Sequence, residues 1–114
     1  MESKSEININ VTLDPNKVPE KIEWKATDLN KGFEPVKGML LSMWDANSQN
    51  SLRIDLWTKE MSVEEMKLFF HQTLVTMADT YERSTGDVRL SEDMRDFCFY
   101  FAKRTNIISE EEEK

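Results

Sequence analysis

The sequence predicts an α+β fold: a four-stranded antiparallel sheet, a meander of two hairpins, followed by two helices packed on one of its faces. Three observations carry this expectation. Residues 6–13 (EININVTL) and 21–27 (KIEWKAT) alternate apolar and polar side chains with a period of two. Residues 52–57 (LRIDLW) do the same after a turn-rich stretch. From Ser62 onward the apolar period changes to 3.6. Strands first and helices afterwards give an α+β order. The expected organisation is one α+β domain over residues 1–108 and an acidic, disordered tail over 109–114.

Each element has its own warrant. In 6–13, Ile7, Ile9, Val11 and Leu13 share one face, and Glu6, Asn8, Asn10 and Thr12 the other, as in a strand with one wet side. Asp14-Pro15-Asn16 supplies turn chemistry, and Pro19 restarts an extended run that turns Ile22, Trp24 and Ala26 inward. Residues 28–35 (DLNKGFEP) read as a loop. Residues 36–45 (VKGMLLSMWD) fit a strand or a short helix by periodicity alone, and the hairpin context favours a strand. In the fourth strand Leu52, Ile54 and Leu56 face the core, with Arg53, Asp55 and Trp57 opposite. The first helix carries an apolar stripe of Met66, Phe69, Phe70, Thr73, Leu74, Met77, Ala78 and Tyr81, with Asp79 and Arg83 placed as an i, i+4 pair. Gly86 ends it. Ser91 is the candidate cap of the second helix, which turns Met94, Phe97, Cys98, Phe101 and Ala102 inward. Residues from Asn106 onward are expected to fray.

Composition narrows the function classes. The 114 residues carry 22 acids against 15 bases, a net charge of −7, and the run EEEEK at 110–114 holds much of that excess. No basic stripe interleaves with aromatics, so nucleic acid and anionic membranes are poor partners. A single cysteine excludes an internal disulfide and a Cys-rich metal site. The opening MESKSEININ has no apolar segment of the kind a signal peptide needs, and no apolar run approaches a membrane span. These features predict a cytoplasmic protein without direct membrane insertion.

The most charged stretch, LRIDLWTKEMSVEEM (52–66), invites reading as an acid–base site. Ser62 and Glu65 instead match a capping box, Met61 and Met66 a hydrophobic staple, and Glu64 and Glu65 sit where a helix dipole favours negative charge. His71 lies beside the apolar stripe; its helical neighbours Lys67, Leu74, Val75 and Ala78 supply no further ligands, so a backbone- or water-bonded histidine is expected. Cys98, between aromatics, reads as a small buried hydrophobe. Phosphate loops, nucleophile elbows and zinc or calcium motifs are missing. No catalytic residue, cofactor or metal is therefore expected. What folding leaves unexplained is Arg53, Asp55 and Trp57 on one strand face, with Trp44 in their neighbourhood. Trp57 either covers the sheet edge or helix start, or anchors a protein-interaction or homodimer face, since Trp and Arg are favoured anchors.

Long strings of the chain resemble a known family. LRIDLWTKEMSVEEMKLFFHQTLVTMADTYERSTGD (52–87), MRDFCFYFA (94–102) and SEININVTLDPNKVPEKIEW (5–24) are similar to the gliding motility-associated protein GldC family of Bacteroidetes. Ser62 stands where that family often has proline, Glu64-Glu65 replaces an Asp-Glu pair, and the ending FAKRTNIISEEEEK differs from the usual one. The resemblance implies a small cytoplasmic accessory protein of surface gliding, whose machinery is linked to protein secretion, and it implies no catalytic residues. The expected partner is another protein of the gliding or secretion machinery. The alternative is an acidic export-type chaperone for unfolded secretory chains, whose mark would be a contiguous exposed apolar groove.

Overall fold

A computed structural model describes residues 3–108. In chain order it contains β1 (Ile7–Leu13), β2 (Pro19–Ala26), β3 (Glu34–Val36), β4 (Gly38–Trp44), β5 (Ser51–Trp57), α1 (Val63–Thr85) and α2 (Val88–Arg104). The described chain divides into two compact units, one up to Met61 and one from Ser62. The α+β class holds, but the single four-stranded sheet does not. The first unit carries two antiparallel sheets, one of three strands in the order β1-β2-β3 and one of two, β4-β5. Among the described residues no helix is long and apolar enough to cross a membrane.

The correction has a local cause. Residues 34–36, at the boundary of the predicted loop, are extended and pair with β2, Ile22 opposite Val36 and Trp24 opposite Glu34. The chain then bends at Lys37 before running on as β4, so two nearly consecutive strands join different sheets. Thr58 pins the bend: its N–H and hydroxyl donate to the Lys37 carbonyl at 2.8 and 3.1 Å. Residues 38–44 are strand, which settles the ambiguity of the 36–45 run.

The β1–β2 register sets Ile7 opposite Ala26, Ile9 opposite Trp24 and Val11 opposite Ile22. Directly paired residues point to the same side, so the alternation of the two runs becomes one apolar face. Burial along it is uneven: Ile22 is 1% exposed, Ala26 is buried, and Ile7 is 74% exposed. The turn between the strands is built by Asp14, whose Oδ1 accepts from the N–H groups of Asn16 (2.8 Å) and Val18 (3.0 Å). Lys59, beyond β5, reaches Asp14 Oδ2 at 3.0 Å. The Val18 amide, followed by Lys59, holds the Asp14 carboxyl below its usual range.

In the second unit α1 and α2 pack against each other. The residues buried here are small: Ala78 on α1, and Ser91, Cys98 and Ala102 on α2. The contact is marked by His71 stacking on Phe101 (centroids 6.3 Å apart, 21° between planes) and by Arg95 of α2. That guanidinium donates to Asp79 (2.9 Å) and Glu82 (2.9 Å) on α1 and to Glu92 (2.8 Å) on its own helix. These carboxylates, Asp79 foremost, raise the Arg95 pKa further. Asp79 therefore pairs with Arg95 and not with Arg83, which donates to Thr80. A guanidinium held by several carboxylates at once outcompetes the exposed i, i+4 pairing expected from spacing.

The helix ends bring one agreement and two corrections. Gly86 closes α1 at φ 74°, a left-handed conformation that costs glycine little. The cap of α2 is Asp87, whose carboxylate accepts from the Leu90 N–H at 3.0 Å, and not Ser91. Ser91 lies a turn inside the helix, buried, its hydroxyl donating to the Asp87 carbonyl. Nor do residues 106–108 fray. Asn106 takes φ 62°, and the N–H groups of Asn106 and Ile107 donate to the Lys103 and Ala102 carbonyls, the paired bonds of a Schellman ending. The predicted acidic tail at 109–114 lies outside the described residues.

Candidate functional site

The charged stretch 52–66 resolves into structural contacts. Ser62 Oγ accepts from the Glu65 N–H at 3.0 Å, and Glu65 Oε1 accepts from the Ser62 N–H at 3.0 Å. Glu64 accepts from Lys67 at 3.2 Å, and Lys59 is held by Asp14. Two donors at the helix start are thus satisfied reciprocally, as the capping-box reading requires. Ser62→Ala is expected to lower stability by about 1 kcal/mol, the usual worth of such a cap. Chemical denaturation measures it, and an unchanged midpoint would remove the cap from the account.

His71 is half-buried in the helix pair against Phe101. Among the described residues no group of three or more His, Cys, Asp or Glu side chains stands close enough to hold a metal ion. Cys98 is buried and unpaired, and burial pushes its thiol pKa up, away from a reactive thiolate.

The β4–β5 hairpin places the remaining candidates. Its register is continuous from Gly38 opposite Trp57 to Trp44 opposite Ser51, with Leu40 opposite Asp55 and Ser42 opposite Arg53. Trp44, Arg53, Asp55 and Trp57 therefore share one face. Trp44 is 69% and Trp57 57% exposed, so Trp57 does not serve as a buried cover. The two indoles stand at opposite ends of the hairpin, six positions or roughly 20 Å apart, which corrects the expected proximity between them. Between them Arg53 donates to Asp55 Oδ1 at 3.2 Å, an exposed pair worth little to stability. Opposite Trp57 stands Gly38, where the Met61 sulfur lies 3.6 Å from the place a Cβ would take. Beside Trp57 a shallow groove of about 270 Å³ is lined by Val18, Pro19, Asp55, Leu56 and Trp57.

The reverse face pairs Met39 with Leu56, Leu41 with Ile54 and Met43 with Leu52, so it is wholly apolar. Leu52 and Ile54, expected in the core, are exposed with Met43. Their alternation is real, but other elements decide what covers the face it creates. A second shallow groove, about 220 Å³, runs along the three-stranded sheet between Ile7, Ile9, Ile22, Trp24, Val36, Gly38 and Met39. Sequence reasoning misses it, because it needs the β2–β3 pairing that a loop over 28–35 excludes. The available signal is Glu34-Pro35-Val36, a proline-bearing edge segment.

The family model described as gliding motility-associated protein GldC-like matches residues 19–107, more than half of the chain. No curated protein and no solved structure matches the chain.

Proposed function

The chain belongs to the gliding motility-associated protein GldC-like family, and from that premise we propose that it is a non-enzymatic accessory protein of gliding that binds another protein through the Trp-bearing face of β4–β5. The observation that carries this reading is the hairpin register, which sets Trp44, Arg53, Asp55 and Trp57 on one side with both indoles more than half exposed. Exposed Trp beside Arg is the composition of interface anchors. Trp57 enters a partner's pocket; the Arg53–Asp55 pair sets the register through polar contacts around it. The partner is a protein of the gliding or associated secretion machinery, met in the cytoplasm of a Bacteroidetes cell.

The test is a cross-linking pull-down from a gliding host with wild-type protein and with Trp57→Ala/Arg53→Glu. Loss of a buried Trp anchor is worth about 2 kcal/mol or more, so specific capture should fall at least tenfold while circular dichroism is unchanged. An identical captured set from both proteins removes this face from the function. Equal, sequence-independent capture of unfolded secretory chains by both would transfer the function to an export-type chaperone.

A further inference from the structure

An exposed stripe of α2 runs beside the α1–α2 contact. Leu90, Asp93, Phe97, Tyr100 and Arg104 recur at spacings of three, four, three and four, the repeat of a helix-pairing seam. All five are exposed, Phe97 by 51% and Tyr100 by 56%, and Leu90, Asp93 and Phe97 also line a shallow groove of about 290 Å³ with Leu74 of α1, Met94 and Cys98. Phe97, expected to point inward, is thus on the exposed stripe, its ring 6.1 Å from that of Tyr100. Asp93 and Arg104 stand three turns apart, roughly 16 Å along the axis, too far to pair with each other. Neither has an ion-pair partner among the described residues.

We propose that this seam is the contact between two copies of the chain, packed with their α2 helices antiparallel about a two-fold axis midway between Phe97 and Tyr100. The order of residues selects this occupant. A two-fold at that point sets Phe97 of each copy against Tyr100 of the other, and in the same register Asp93 of each copy meets Arg104 of the other. One self-complementary strip then yields an aromatic centre and two ion pairs at its rim, the anatomy of an isologous interface. A parallel pairing would instead place Asp93 on Asp93 and Arg104 on Arg104. The strip is short, so the dimer is of moderate affinity, with Kd on the order of 10 μM, at the small end of specific interfaces.

The experiment is sedimentation equilibrium of the full chain and of two single variants, Asp93→Arg and Arg104→Asp, with circular dichroism to confirm that each folds. Wild type should pass from monomer to dimer as concentration rises through the micromolar range. Each variant alone sets like charges against each other at both ends of the strip, so its dimerisation should weaken at least tenfold. Mixed one to one, the two variants should associate again. One then carries arginine at both positions and the other aspartate at both, so every arginine of the strip meets an aspartate across the heterodimer. The proposal is overturned if wild type stays monomeric at about 200 μM, a concentration well above the expected Kd. It is equally overturned if either variant dimerises like wild type, or if the folded variants fail to associate on mixing. A monomeric wild type whose capture of a different protein is lost in Asp93→Arg would assign the seam to that other partner.

Discussion

Ile22→Ala should be the most damaging truncation in the first unit, lowering stability by about 3 kcal/mol. Ile22 is 1% exposed, paired to Val11 on one side and Val36 on the other, so its side chain is enclosed by both neighbouring strands and the groove wall they form. Removing three of its carbons forfeits their burial and leaves a cavity that a strand held on both edges cannot close. The comparison that gives the number meaning is Ile7→Ala. Ile7 lies on the same apolar face, yet it is 74% exposed and should change stability by about 0.5 kcal/mol or less. Urea denaturation of both variants measures the difference as a shift in midpoint at constant slope. Equal losses at the two positions would mean that the β1 margin is covered in solution and that the burial gradient across this sheet is wrong.

Ala78→Leu should cost about 2–3 kcal/mol by the opposite mechanism, overpacking. Ala78 is fully buried, and it lies on the side of α1 that bears His71, stacked on Phe101, and Glu82, bonded to Arg95. The facing buried residues of α2 are Ser91, Cys98 and Ala102, so small side chains on both helices set how near the axes come. Three added carbons must push the helices apart, which would also lengthen the Arg95 contacts to Asp79 and Glu82. Substituting the adjacent Met77, which is exposed, by leucine should stay within about 0.5 kcal/mol. Thermal unfolding followed at the helical signal reads both. If leucine were tolerated in place of Ala78, the helix pair would be loosely packed and its small residues would not define it.

Local rules read from the chain hold wherever the interaction is local. The capping box at Ser62 and Glu65, the glycine ending at Gly86, the turn at Asp14 and the shared side of Ile9, Val11, Ile22 and Trp24 each depend on residues within a few positions or on the side-chain period itself. The candidate face is legible for the same reason: alternation alone puts Arg53, Asp55 and Trp57 on one side of a strand. Where the reading fails, two segments compete for one group. Asp79 has an acceptable local partner in Arg83, but Arg95 offers a contact shared with Glu82 from another helix. Ser91 has the chemistry of a cap, yet Asp87 sits where the chain leaves Gly86 and its carboxylate reaches the Leu90 amide first.

By itself, then, the sequence determined the class of most elements, many of their ends and the sides on which apolar residues gather, because period and capping are properties of contiguous residues. Only the tertiary structure decided which of those sides are closed. Pairing of Glu34–Val36 with β2 and the bend at Lys37 split the strands into two sheets, and close approach of small residues on α1 and α2 left Phe97 exposed while Cys98 stayed inward, as its position predicts. Burial is a sum over neighbours from distant parts of the chain, and no window of sequence contains that sum.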